Sequence, residues 1–229
     1  ATDTEAAATN ALQSFDANGW TMGVNDQLNS NTKTYVAWCW KAGTTSGITT
    51  NASTTITPSA YSFNQTAGIS ILKHTGNSTN GAKMAHGLGA IPHMMIFKNT
   101  LTLNEWVVYH HKNTAAPETD GLVLNTNAAT ADDASYWNDT APDSVNTTFG
   151  NSGATNDSTG GSNVYISFSF TAKQGYSKFG SYIGNGDNDG AFVYTGFRPA
   201  MVIYKKSSGT ENWFIHDNRR QGFNPDNEY

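Results

Sequence analysis

HGLGAIPHMMIFKN (86–99) and NEWVVYHH (104–111) return 107 positions later as VYTGFRPAMVIYKK (193–206) and ENWFIHDN (211–218). Pro92 falls on Pro199, Met94 on Met201, Lys98 on Lys205 and Trp106 on Trp213, so residues 175–217 read as a second copy of 68–110. A second echo runs at a longer offset: TYVAWCWKAG (34–43) reappears as NVYISFSFTA (163–172). A chain that repeats itself is built from supersecondary modules. The duplication is also an internal control, since a residue present in one copy is a poor candidate for anything the module must do.

The repeated pieces are strand-like. Short runs rich in β-branched and aromatic residues occupy 35–40, 69–73, 94–98, 106–110, 164–170, 191–194, 201–205 and 213–216. Clusters such as Gly150-Asn151-Ser152-Gly153 punctuate them. The one helix-compatible stretch is 5–14. Short strands with turn chemistry between them predict an all-β fold, an antiparallel β-sandwich of jelly-roll or concanavalin-like type in internal repeat. Alternation sorts the faces. Val36, Trp38 and Trp40 match Ile166, Phe168 and Phe170, while Tyr35, Ala37 and Cys39 match Tyr165, Ser167 and Ser169. The bulky face is expected to form the core, and Cys39 on the small face is expected to be a packed thiol.

The order of the pieces predicts the domains. Residues 1–66 read as the C-terminal part of an upstream module plus a Thr/Ser-rich linker at about 43–62. Residues 67–173 read as one complete module and 174–229 as the beginning of the next. The incomplete parts, 1–45 and 174–229, are expected to pack together, because neither covers its apolar strand face alone.

Composition narrows the function classes. Charged residues are 14% of the chain, against roughly 25% in an average domain, and Asn, Thr, Ser and Gly replace them. A net charge of −5 and basic clusters no larger than the pairs Lys205–Lys206 and Arg219–Arg220 argue against nucleic-acid binding. No apolar run approaches the roughly 20 residues of a spanning helix, so membrane insertion is not expected. The N-terminal ATDTEAAATNA is not a signal peptide and lacks an initiator Met, so the chain is expected to be processed or excerpted. One cysteine excludes an intrachain disulfide.

Catalytic motifs are missing: there is no G-x-S-x-G elbow, P-loop, H-E-x-x-H or dinucleotide fingerprint. No catalytic residue and no cofactor are expected. His110 and His111 are adjacent on a strand, where their side chains point to opposite faces and cannot chelate as a pair. His74, His86 and His93 have no acid or thiol at ligand spacing. In GNGDNDG (184–190) Asp187 and Asp189 are the candidate calcium ligands, but the loop lacks the distal Glu and twelve-residue spacing of an EF-hand and reads as a tight turn. Trp20 and Trp137 are the candidate glycan-stacking rings, against the plainer reading that each plugs one end of a sandwich.

TYVAWCWKAG, AGISILKHTGN (67–77), HGLGAIPHMMIFKN, YWNDTAPDS (136–144) and the run GYSKFGSYIGNGDNDG…RRQGFNP (175–225) together resemble the repetitive structural proteins of marine bacteriophages, especially cyanophages. Ser169 departs from that pattern, which has Cys there. The resemblance implies a non-enzymatic virion component: a tail fibre, head fibre or capsid decoration. It also implies homo-oligomers, contacts with other virion proteins and attachment to host-surface glycans. A lectin-like module or adhesin is the alternative, and a polysaccharide depolymerase the third reading.

Overall fold

The computed structural model describes residues 3–6, 8–157 and 163–219. Its regular structure is nearly all strand, and it divides into two compact units. One comprises Ala1–Thr4 and Trp40–Asp217, the other Glu5–Cys39 and Asn218–Tyr229.

In the unit containing Glu5–Cys39, β1 (Leu12–Asp16) and β2 (Gly19–Met22) form an antiparallel hairpin. Ser14 and Thr21 hydroxyls donate to the two Asp16 carboxylate oxygens at 2.8 and 2.7 Å and fasten it. The helix expected at 5–14 is therefore replaced by a turn and a strand. Asn10 takes a φ of 59°, which a right-handed helix cannot accommodate.

The larger unit is built on a seven-stranded antiparallel sheet. Its order is β3 (Ala60–Asn64), β4 (Ile69–Thr75), β11 (Val164–Phe170), β6 (Met94–Asn99), β7 (Val107–His110), β8 (Asp120–Val123) and β9 (Ala131–Asp132). The second layer is a short pair, β5 (Ala82–Ala85) and β10 (Asn146–Phe149). Leu72, Met95, Phe97, Val107 and Tyr109 from the sheet cluster with Ala82, Met84 and Phe149 from that pair. Trp137, from the one-turn helix α1 (Ala134–Trp137), and Ile56 belong to the same core. Asp133 caps α1 by accepting from Ser135 N. Gly150 lies so close to α1 that a Cβ there would sit 2.3 Å from Ser135 O.

The inward face of β11 is the reverse of the expected one. Tyr165, Ser167 and Ser169 are buried, while Ile166, Phe168 and Phe170 are only half-buried on the other side. Alternation identifies two faces but not which of them points inward. Here the neighbouring strands already fill the interior with rings. His74 stacks on Phe149 and on Tyr165 at 5.2 and 4.9 Å, and Phe97 meets Phe149 and Trp137 at 5.4 and 5.5 Å. Small serines on the central strand make room for them, where a second bulky face would overpack the core. Phe170 instead meets Trp40 edge-on at 6.2 Å and Phe179 at 6.0 Å.

Two further expectations are corrected. Residues 34–43 form no strand, and Cys39 is exposed rather than packed. A strand signature in composition is a weak preference that the surroundings override. The stretch 43–62 is not a free linker. Thr44 bridges Phe63, Ile56 is buried beside Met84, and Thr54 Oγ1 donates to Asn146 Oδ1 at 2.7 Å. Asn146 Nδ2 returns a bond to Asn51 Oδ1 at 3.1 Å. Thr, Ser and Asn read as linker by composition, but here they stitch the segment to β10.

The remaining strands, β12 (Met201–Lys205) and β13 (Trp213–Asp217), form an antiparallel hairpin with the register of β6 and β7. Met94 pairs His110, and Met201 pairs Asp217; Ile96 pairs Val108, and Ile203 pairs Ile215. Gly68 and Gly175 share a left-handed backbone, with φ of 70° and 74°.

Candidate functional site

The two tryptophans singled out in the sequence part company. Trp137 is 1% exposed, and its Nε1 donates to Asp120 O at 3.0 Å. It is a core residue, so its reading as a glycan platform is withdrawn. The signal was in the sequence: Asp133 at an N-cap and Asn138 at a left-handed C-cap (φ 52°) bracket one helical turn whose last residue points inward. Trp20, on β2, is 44% exposed and offers a ring to solvent.

In the 184–190 loop the polar side chains bond to the loop's own backbone. Asp187 Oδ1 accepts from Asp189 N at 3.2 Å, and Asn185 Oδ1 accepts from Asp187 N at 3.2 Å. Asn185 Nδ2 donates to Asp189 O at 2.9 Å, and Gly186 takes a φ of 69°. These are turn bonds of the kind Asp and Asn make. Among the described residues no group of three or more His, Cys, Asp or Glu is placed to hold a metal.

Two histidines serve the core. His74 Nε2 donates to Thr155 O at 3.0 Å, and burial pushes its pKa down to about 4. His86 Nε2 donates to Asp143 O at 3.0 Å and its Nδ1 accepts from Leu88 N at 3.2 Å; burial lowers its pKa as well.

Three others form a group that adjacency in sequence does not reveal. His93, just before β6, lies 4.2 Å from His111 ring to ring, and His111 lies 5.4 Å from His110. Phe179 completes the group at 6.2 Å from His93 and 6.5 Å from His110. Ala172 N donates to His93 Nδ1 at 2.8 Å, and His111 Nε2 donates to Phe179 O at 3.2 Å. Burial holds all three below the ordinary imidazole range, His110 at about 4, with mutual repulsion lowering His93 and His110 further. At neutral pH the group is uncharged and anchors the segment around Phe179 to the sheet.

A shallow polar cleft of about 340 Å³ is lined by Asn113, Thr114, Ala129, Thr130, Ser207 and Ser208. It lies where the β12–β13 turn docks beside the β8–β9 edge. Thr130 N donates to Ser207 O at 3.0 Å, Glu211 N to Asn127 O at 2.8 Å and Trp213 Nε1 to Val123 O at 2.8 Å. Thr130 Oγ1 donates to Asn113 Oδ1 at 2.7 Å, and the Thr114 hydroxyl bonds the Asp120 carboxylate. Asn113 Nδ2 is buried and makes no hydrogen bond among the described residues. Hydroxyls and amides without a charged wall suit a neutral, hydroxyl-bearing ligand. No motif announces this cleft, because Asn, Thr and Ser at turns are the commonest residues of the chain.

The whole chain, residues 1–229, matches DUF7483, a domain of unknown function. The chain belongs to that family. No curated protein and no solved structure matches this DUF7483 chain.

Proposed function

We propose that this DUF7483 chain is a non-enzymatic structural component of a bacteriophage particle, in a tail fibre, head fibre or capsid decoration, working by assembly. In this reading the two layers of 67–173 are a jelly-roll or concanavalin-like sandwich, and 174–229 begins the next such module along a repeat. The observation that carries it is the hairpin built twice in one register, first as the interior of a sheet and then as a two-stranded display. Building one unit repeatedly is how an extended particle component gains length. The buried histidines fit this role, since each bonds a backbone carbonyl within the fold. The test is mass spectrometry of purified particles with antibody labelling. A constant copy number per particle and labelled appendages are expected; particles devoid of the chain overturn the reading.

A glycan-binding role is the second reading, and the unpartnered Asn113 Nδ2 in the polar cleft favours it. Saturable binding on a glycan array, lost in Asn113→Ala, would establish it, and loss in Trp20→Ala alone would move the site to β2. An array without binding overturns it.

A further inference from the structure

We propose that His93, His110 and His111 form an acid-operated latch: charging the group frees residues 172–179 from the sheet and uncovers the ring of Phe170. This goes beyond the particle reading and does not depend on it. The latch is built from hydrogen bonds. Among the described residues, two of them tie 172–179 to the sheet: Ala172 N to His93 Nδ1 at 2.8 Å, and His111 Nε2 to Phe179 O at 3.2 Å. The other bonds made by its backbone run inside the segment, between Lys173, Tyr176 and Ser177. The Phe179 ring rests against His93, His110 and Phe170.

The direction of each bond makes the latch sensitive to protons. A backbone N–H can only donate, so His93 Nδ1 and His110 Nδ1, which receive Ala172 N and Lys112 N, carry no proton in the closed form. A ring with its proton on Nε2 charges at Nδ1. There the new N–H meets a second N–H, and the bond is lost. His111 differs, because its Nε2 donates to a carbonyl and it keeps that bond when charged. Its ring lies 4.2 Å from His93 and 5.4 Å from His110, so a second charge in the closed group is repelled by the first. Opening the segment admits water, which solvates the charges and replaces the lost partners.

The surroundings do not offset that charge. The charges acting on the three rings are their own and that of Lys112. Lys173 lies along Gly68, within 3.0 Å of where a Cβ would sit there, and Lys178 Nζ donates to Tyr194 O at 2.8 Å. On the turn packed against β7, Glu118 acts on Tyr109, and the Thr114 hydroxyl bonds the Asp120 carboxylate. Among the described residues none of the three histidines is paired with a carboxylate. The open form therefore takes up protons before the closed one as pH falls, and its population grows.

Hydrogen exchange of the purified full chain, read by mass spectrometry and corrected for the intrinsic effect of pH, tests the latch. From about pH 7.5 to about pH 5, protection of peptides covering 172–179 is expected to fall by about tenfold or more, since each proton taken up contributes up to about tenfold per pH unit. Peptides covering 94–99 and 164–170 should stay protected. His93→Asn combined with His110→Asn places an oxygen acceptor near each Nδ1 position and cannot charge. That variant is expected to keep its protection at about pH 7.5 and to lose the acid response. A further readout needs no substitution: in the wild-type chain, the imidazole resonances of His93 and His110 followed by NMR should titrate over the same range as the loss of protection. Constant protection of 172–179, an equal loss in the double variant, or loss in all these peptides together overturns the proposal. Opening at a pH where neither imidazole titrates overturns it as well, and this comparison decides the matter if the double variant does not fold. The particle reading survives every one of these outcomes, because none of them involves a particle.

Discussion

The hairpins β6–β7 and β12–β13 have the same register and closely similar sequences, yet they live in different surroundings. Phe97 is fully buried against Phe149 and Trp137, while its counterpart Tyr204 is half-buried and stacks within its own hairpin on Phe214 at 5.5 Å. Met95 is buried and Val202 is exposed. Register is a local property, set by the strands and the turn between them. Burial is set by what lies on either side, and the first hairpin has β11 beside it and β5–β10 across from it.

The sharpest test is a matched pair of truncations. Phe97→Ala should cost about 3–5 kcal/mol of unfolding free energy in urea, and Val202→Ala under about 0.5 kcal/mol. Equal costs would mean that the second hairpin is buried as deeply as the first.

Acid supplies a test of about 3 kcal/mol. No histidine stands 107 positions beyond His74, where the residue is Ser181, so this titration tests the sheet and not the β12–β13 hairpin. Its folded pKa is about 4 against an ordinary 6.5, so the unfolded chain takes the proton first as pH falls. Stability is therefore complete above about pH 6.5 and declines towards pH 4, by on the order of 3 kcal/mol. His74→Gln should flatten that part of the profile measured by denaturant titration. A profile unchanged by the substitution would place the acid sensitivity elsewhere, first among His93, His110 and His111.

Gly68 and Gly175 share a backbone conformation but not their surroundings. A Cβ on Gly68 would lie 2.4 Å from Thr171 O, whereas on Gly175 it would meet nothing within 4 Å. Gly68→Ala should cost about 3 kcal/mol, combining left-handed strain with overpacking, and Gly175→Ala about 1 kcal/mol from strain alone. Thermal unfolding monitored by circular dichroism separates the two. Gly175→Ala matching Gly68→Ala would show residue 175 as tightly enclosed as residue 68.

What could be read from residues was what depends on neighbours in sequence. Runs such as Met94–Asn99 and Val164–Phe170 announce strands by composition, and the duplication predicts that residues 94–110 and 201–217 behave alike in pairing. The inward face of β11 was not legible, because Ser167 faces inward only on account of rings supplied by β4, β6 and β10. Residues 34–43 carry as strong a strand signature as β11 and form none, since β-propensity depends on the surroundings as much as on the residues. The cleft around Asn113 was equally silent. It arises where distant turns meet, and no one turn contains it.

The place of β11 in the sheet has a consequence for how the chain comes to be folded. β4 and β6 are made early, but the strand that belongs between them is among the last of the unit, with Phe170 pairing Ile69 and Met94. A nascent chain that has emerged only to β7 can close the β6–β7 hairpin while β4 and β6 wait with edges of similar chemistry. Closure of the centre is a late, long-loop event, slow by the rule that distant pairings delay folding. In refolding of the complete chain, where all strands are present at once, the similar hairpin β12–β13 is expected to compete for β11 as a wrong partner. Refolding of the full chain should accordingly be slower than that of a chain ending at residue 173, with the difference reporting time spent in the mispaired register.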